Sequence, residues 1–268
     1  MKRVGMSCAD NLLTPERFLE MERCGIAAVE IGCFYEPQNL DFKKVGEYAN
    51  SHKIELWSCH LPYKGMGCLV QDSRELRLQT LALHQGLIER AAEVGVDKFV
   101  IHPSGILKES VDRSEAKAYS MEALDILAEF AHKHGAKLAV ENMCIGRLGE
   151  CCDELLELIG ANDKLRICFD VNHLLRDPHE AFAERIRDKL ITVHISDYAF
   201  QKQCHWLPGE GKIDWPAIHK ILCGIGYTDV WMYEVAFGTN AMRSRPLAVS
   251  DLYNNAMEIF AGKKPGRI

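Results

Sequence analysis

The segment RICFDVNHLLRDPHEAFAERIRDKLITVH, residues 166–194, carries a strand, a loop, an amphipathic helix and a second strand in immediate succession. Its first apolar run, Arg166–Phe169, closes on Asp170, and its last, within Ile191–Ile195, closes on His194 after LITV. The stretch between them, Pro178–Asp188, has helical spacing, and a helix of that length is what carries a chain back to start a parallel neighbour. Outward from this unit the same alternation recurs. Strands are expected at Arg3–Cys8, Ala27–Ile31, Ile54–Cys59, Lys98–Ile101, Lys137–Val140 and Val230–Val235. Helices are expected at Pro15–Cys24, Phe42–His52, Ser73–Val94, Ser114–His134, Asp153–Ile159, Trp215–Cys223 and Asp251–Phe260. Gly25, Gly95, Gly135, Gly160, Gly226 and Gly262 fall just after helices, where a left-handed residue satisfies free carbonyls. Thr14, Asp177 and Ser250 read as helix caps. Eight strand-helix units predict an α/β fold, a (β/α)8 TIM barrel forming one domain over 1–268. An open doubly wound sheet is disfavoured, because no GxGxxG follows the first strand.

Composition narrows the function. The chain has 268 residues, 47% of them hydrophobic, with a formal charge of −6, which speaks against nucleic-acid and membrane partners. The eleven cysteines are odd in number, contain no CxxC and include the adjacent Cys151-Cys152, so neither a disulfide framework nor a zinc ribbon is visible. A reducing cytoplasm is the expected location, since MKRVGMSCADNLLTPERF holds no long apolar core and no long charge-free apolar stretch occurs.

Six strands end on a polar residue: ELWSC-His60, KFVI-His102, KLAV-Glu141, RICF-Asp170, LITV-His194 and VWMY-Glu234. A lone histidine after an apolar run is usually a satisfied core residue. Six such ends converge, because a barrel aims them all at one mouth, where unpaired buried charges cost several kcal/mol. Glu141, Asp170, His194 and Glu234 offer an oxygen-rich set suited to one divalent ion, Mn²⁺ first, with Mg²⁺, Co²⁺, Zn²⁺ or Fe²⁺ as alternatives. A metal-free ion network is the other reading. It would have to rely on histidines, as no Lys or Arg closes these strands.

CHLPY at 59–63, IHPSG at 101–105, AVENM at 139–143, FDVNHLL at 169–175, VHISD at 193–197, HWLPGEGKIDW at 205–215 and YEV at 233–235 together resemble the xylose isomerase-like superfamily of (β/α)8 barrels. That superfamily holds sugar epimerases and isomerases and also endonuclease IV. The resemblance implies that Glu141, Asp170, His194 and Glu234 form the metal site and that His173 lies over the substrate. It also implies that the three-zinc site of endonuclease IV would fall on His60, His102, Glu141, Asp170, His173, His194, His205 and Glu234. One ligand is missing from that set, because Gln203 stands where the resembling segment carries Asp.

A divalent ion bound by carboxylates suits a polyhydroxy carbonyl substrate, whose enediolate it would stabilise. Glu141 and Glu234 are the catalytic acid-base candidates; His173, His60, His102, His205 and Glu30 are candidates for substrate binding. The expected function is isomerisation or epimerisation of a sugar or sugar phosphate, with a small molecule as partner and a homo-oligomer as the expected assembly. A dehydratase of the same superfamily and a zinc phosphodiesterase acting on abasic DNA are the alternatives. Glu30 has two expected roles, anchoring a substrate hydroxyl or pairing with a histidine. Asp197 is expected to orient His194 or its own loop. Pro208-Gly209-Glu210-Gly211 reads as a turn leading to an Asp214 cap, or as a phosphate contact. Trp57, Trp206, Phe34 and Tyr63 are candidate pocket walls. Lys64, Lys108, Arg147, Arg176, Arg243 and Arg245 are loop cations that either contact a phosphate or are simply solvated, as loop charges usually are.

Overall fold

The computed structural model describes residues 3–174 and 176–267. Leu175, the last residue of FDVNHLL, and the outermost positions of the expected 1–268 domain, 1, 2 and 268, lie outside the described residues. Strand β1 (Val4–Ala9) leads to α1 (Pro15–Arg23), β2 (Ala28–Gly32) to α2 (Phe42–Ser51), and β3 (Glu55–His60) to α3 (Arg74–Ala92). Then β4 (Lys98–Ile101) leads to α4 (Arg113–Lys133), β5 (Lys137–Glu141) to α5 (Cys152–Ile159), and β6 (Arg166–Asp170) to α6 (His179–Ile186). Finally β7 (Leu190–His194) leads to α7 (Trp215–Gly224), and β8 (Trp231–Tyr233) to α8 (Val249–Phe260).

The strands pair in parallel in chain order from β1 to β7, and β8 pairs with β1. At the seam between β7 and β8 the ladder is a single bridge, Ile195 to Tyr233. The Ile195 amide donates to the Met232 carbonyl at 2.8 Å and the Glu234 amide to the Ile195 carbonyl at 3.1 Å. The sheet is therefore a (β/α)8 barrel. Beneath the polar mouth its interior is filled by small apolar groups, Ala28, Trp57, Val230 and Met232 in one and Val100, Ala139 and Cys168 in another. Trp57 is thus part of the barrel filling and not the pocket wall expected of it: its indole N–H donates to Thr192 Oγ1 at 3.0 Å. Among the described residues no helix is long and apolar enough to cross a membrane.

Three end signals differ from expectation. Asp177 does not cap α6; its carboxylate accepts the Cys152 amide at 2.8 Å and so serves the start of α5. Ser250 does not cap α8, which begins at Val249, with Asp251 accepting the Ala248 amide at 2.8 Å. Gly160 closes α5 with φ −65°, whereas Gly25, Gly95, Gly135, Gly226 and Gly262 take the left-handed conformation. Thr14 does cap α1, accepting the Arg17 amide.

The long connection from β7 to α7 is organised by Asp197, which is fully buried. Its Oδ1 accepts the amides of Tyr198 and Ile213, at 2.8 and 3.2 Å, while Oδ2 accepts the Gly209 amide and the Trp215 indole N–H, both at 2.8 Å. Of the roles expected for Asp197, loop orientation is the one these contacts serve. The turn at 208–211 ends as expected in an Asp214 cap on the Ala217 amide. Asp197→Ala would strand four buried or half-buried donors, so urea unfolding should show a loss of at least about 3 kcal/mol. A loss below about 1 kcal/mol would mean that other contacts hold this loop.

Candidate active site

Parallel register decides which side chains meet. Asp170 pairs with His194, so β6 and β7 end beside each other, and Gly32 pairs with His60, so β2 and β3 do the same. Glu141 ends β5 and Glu234 follows β8. The Glu141 carboxylate is fully buried and surrounded by imidazoles. Its Oε1 lies 3.3 Å from Nδ1 of both His194 and His173, and its Oε2 lies 3.1 Å from Nε2 of both His60 and His102. His194 Nδ1 is also 3.3 Å from Glu234 Oε2. The opposite nitrogen of His194 meets Glu30 Oε2 at 3.1 Å, and that oxygen accepts the Ser58 hydroxyl at 2.7 Å. Glu30 accordingly takes the second role expected of it, pairing with a histidine behind the site. A carboxylate on the far nitrogen fixes ring orientation and strengthens the near nitrogen as a ligand.

One ligand atom from each of Glu141, Asp170, His194 and Glu234 lies within 4.8 Å of all the others, and His60, Glu141 and His194 form a second such group. Asp170 Oδ2 and Glu234 Oε2 are buried without a hydrogen-bond partner. Three carboxylates and one imidazole, two of the oxygens unsatisfied, fit a hard divalent cation. Charge balance points the same way. Burial disfavours ionised Glu141, yet His194 and His102 outweigh it and hold its carboxyl well below the usual range. Burial disfavours the His194 imidazolium, but Glu30, Glu234 and Glu141 carry it well above the usual value. Burial, opposed by His173 and reinforced by Glu141 and Glu234, keeps Asp170 well above the carboxylate range. His173 is moved down by burial and up by Asp170 and Glu141, to about 10, whereas burial takes His102 down to about 4.

Supporting contacts lock the strand ends together. Asn142 donates to the Asp170 carbonyl at 2.9 Å and accepts the Asp170 amide at 2.8 Å, and its own carbonyl meets His173 Nδ1 at 2.9 Å. Asn142 stood in the AVENM segment with no role assigned; an amide next to a strand-end acid is the signal that could have marked it. His205, in a left-handed conformation with φ 48°, pairs through Nδ1 with the Glu234 carbonyl at 3.1 Å. Its Nε2 is held by the Gln203 amide at 2.6 Å, Gln203 Oε1 accepts the Cys144 thiol at 3.1 Å, and Arg147 donates to Cys144 Sγ at 2.6 Å. Phe34 packs edge-on to His60 at 5.1 Å, and Tyr63 covers His102 at 4.2 Å, so these two expected aromatics do wall the pocket.

Of the loop cations weighed as phosphate contacts, the arginines are paired and the lysines lie exposed. Arg243 is buried, 2.7 Å from Glu210 and bonded to the carbonyls of Ala236 and Gly238. Arg176 pairs with Glu150 at 3.0 Å and Arg245 with Asp251 at 2.8 Å. Lys108 reaches Asp72 at 4.0 Å, and Lys64 lies over the Tyr63 ring at 5.2 Å.

A family model described as xylose isomerase-like TIM barrel matches residues 18–250. Inosose isomerase of Bacillus licheniformis is 23% identical over 225 residues, 75% of this chain and 78% of that protein. A probable endonuclease 4 of Staphylococcus epidermidis is 24% identical over 155 residues, covering 50% of this chain and 51% of that one. Among solved structures, a D-tagatose 3-epimerase-like protein superposes with a TM-score of 0.79 at 22% identity, covering 97% of each chain, a likeness of fold.

Burial raises the Asp170 carboxyl and the surrounding carboxylates raise the His194 imidazole, so each keeps its proton to higher pH than it would in water, and a cation requires both groups deprotonated. Calorimetry of Mn²⁺ binding in buffers of different ionisation enthalpy should therefore report net proton release, with affinity falling as pH is lowered. Binding without proton release would contradict this charge assignment.

Proposed function

We propose a reaction for a chain that belongs to the xylose isomerase-like TIM barrel family: reversible removal and return of a proton on the carbon next to a sugar carbonyl, assisted by a divalent ion. The observation that carries the reading is the gathering of donor atoms from Glu141, Asp170, His194 and Glu234 within 4.8 Å, two of the carboxylate oxygens being without hydrogen-bond partners. In this reading those four residues hold the ion. When bound, it would offset negative charge developing on the substrate oxygens. Glu234 and Glu141 exchange protons with the substrate carbon from opposite faces, each using the carboxylate oxygen not engaged by the ion. His60 and His102 hold Glu141 Oε2 in place, both at 3.1 Å. His173, whose Nδ1 is fixed on the Asn142 carbonyl, keeps a buried and unpartnered Nε2 for the substrate oxygen whose charge changes. The similarity to an inosose isomerase supports a sugar or cyclitol carbonyl as the substrate, a small molecule rather than a macromolecule.

A second reading has one specific observation in its favour. His60, Glu141 and His194 also bring donor atoms within 4.8 Å, a place for a second cation, as a zinc phosphodiesterase would need. Against it, the Gln203 amide occupies His205 Nε2 where the resembling nuclease segment has a carboxylate, and the formal charge is −6. About one ion per chain with no abasic-site nicking supports the sugar reaction; about three zincs with nicking supports the nuclease.

Glu141→Gln and Glu234→Gln should each lower turnover at least about 100-fold, since an amide cannot carry the proton, with metal content measured in the same variants. Near-normal turnover with metal retained would remove that residue from proton transfer. With an accepted ketose in D₂O, NMR should find solvent deuterium on the carbon that loses its proton. Direct hydrogen transfer without label would defeat the two-glutamate scheme, and an unsaturated or deoxy-keto product would identify a dehydratase.

A further inference from the structure

The pocket continues beyond Glu234. A cavity of 410 Å³ has Glu234 and His205 at its inner end and extends outward past the ends of β1, β2 and β8. Met6, Cys8, Phe34, Val235 and Phe237 wall it, and Leu12 and Tyr35, 48% and 67% exposed, frame its outer edge. Its volume falls within the range of small-molecule sites. Beyond Glu234, His205, Arg17 and the exposed Tyr35, the one polar side chain on the described lining is Ser7, with a buried and unpartnered hydroxyl, so a free sugar would find few partners there in place of the water its hydroxyls lose. Among the described residues the lining holds a single cation, Arg17. That guanidinium is paired with Glu20 at 2.7 Å and lies over the Phe237 ring at 5.5 Å, so its charge is matched and its flat face extends the apolar surface. A phosphate would find no unmatched positive charge there.

We propose that this cavity is a substituent subsite: the sugar acted on carries an apolar, ring-sized group that lies against Phe34 and Phe237 while the sugar ring reaches Glu234. The proposal rests on the sugar chemistry assigned to Glu141 and Glu234. It makes the substrate a conjugate, in which burial of the substituent supplies affinity and sets the register of the sugar over the acid-base pair.

The test is equilibrium binding by calorimetry of phenyl and methyl glycosides, compared in pairs of glucosides, galactosides and xylosides, to the purified metal-loaded protein. These compounds lack a ketone, so the measurement does not depend on turnover. At least one phenyl member should bind about ten-fold tighter than its methyl partner. Ala236→Trp, which places bulk in the cavity from an exposed lining position, and Phe237→Ala, which removes a wall, should each cut that preference to about two-fold or less. Equal binding within every pair, or a preference that survives both variants, overturns the subsite; so does glucose 6-phosphate binding tighter than glucose with the gain lost on Arg17→Ala. A phenyl preference without deuterium exchange into any ketose would sink the reaction and leave the subsite. Exchange into a free ketose without a phenyl preference would sink the subsite and leave the reaction.

Discussion

Both oxygens of the Glu141 carboxylate are fully buried, and each meets two imidazole nitrogens at 3.1 to 3.3 Å. An isolated carboxylate in that position would be expelled or protonated, since moving a charge out of water costs several kcal/mol even after relaxation. Strand pairing assembles the cluster: it sets Asp170 beside His194, Glu30 beside Ser58 and Gly32 beside His60, while the Ile195–Tyr233 bridge carries Glu234 to His194. Histidines can neutralise this cluster only by holding protons, and a divalent cation can replace those protons. Stability and chemistry therefore draw on the same groups. The buried network that constrains the strand ends is also the one that can exchange protons for metal.

The strands and their polar ends were legible in the chain because they are local. Each apolar run closing on an acid or histidine announces both an element and its direction, and the boundaries fell within two residues for all eight strands. What was not legible depends on contacts distant in sequence. Arg243 reads as a loop cation until Glu210, 33 positions away, closes on it in a buried pair. Asp177 reads as a cap for the helix just ahead, yet it caps one that begins 25 residues earlier. The relay from Arg147 through Cys144 and Gln203 to His205 joins two strand-helix connections, and no spacing in either announces it. Trp57 looks like any strand aromatic until Thr192, across the barrel, accepts its N–H.

Around Glu141 and Glu234, the proposed acid-base pair, the surroundings are graded. Behind the cluster lie Ser58 and Glu30, which hold His194 from its far side. Beside it Phe34 and Tyr63 pack on His60 and His102, the two imidazoles that meet Glu141 Oε2. Outward from Glu234 the wall turns apolar, and Arg17, Arg243, Arg176 and Arg147 are engaged by acids, carbonyls or a thiol. On the proposed reading this gradient suits a substrate with a polar, metal-seeking end and an apolar end.

The central claim is that Glu141, Asp170, His194 and Glu234 together hold a divalent cation. Anomalous diffraction at the manganese edge, from crystals of the protein grown with Mn²⁺, tests it most directly. A single strong peak enclosed by the carboxylate oxygens of Glu141, Asp170 and Glu234 and by His194 Nδ1 is the predicted result. A pocket without anomalous density at saturating Mn²⁺, its histidines still paired to the carboxylates, would contradict it.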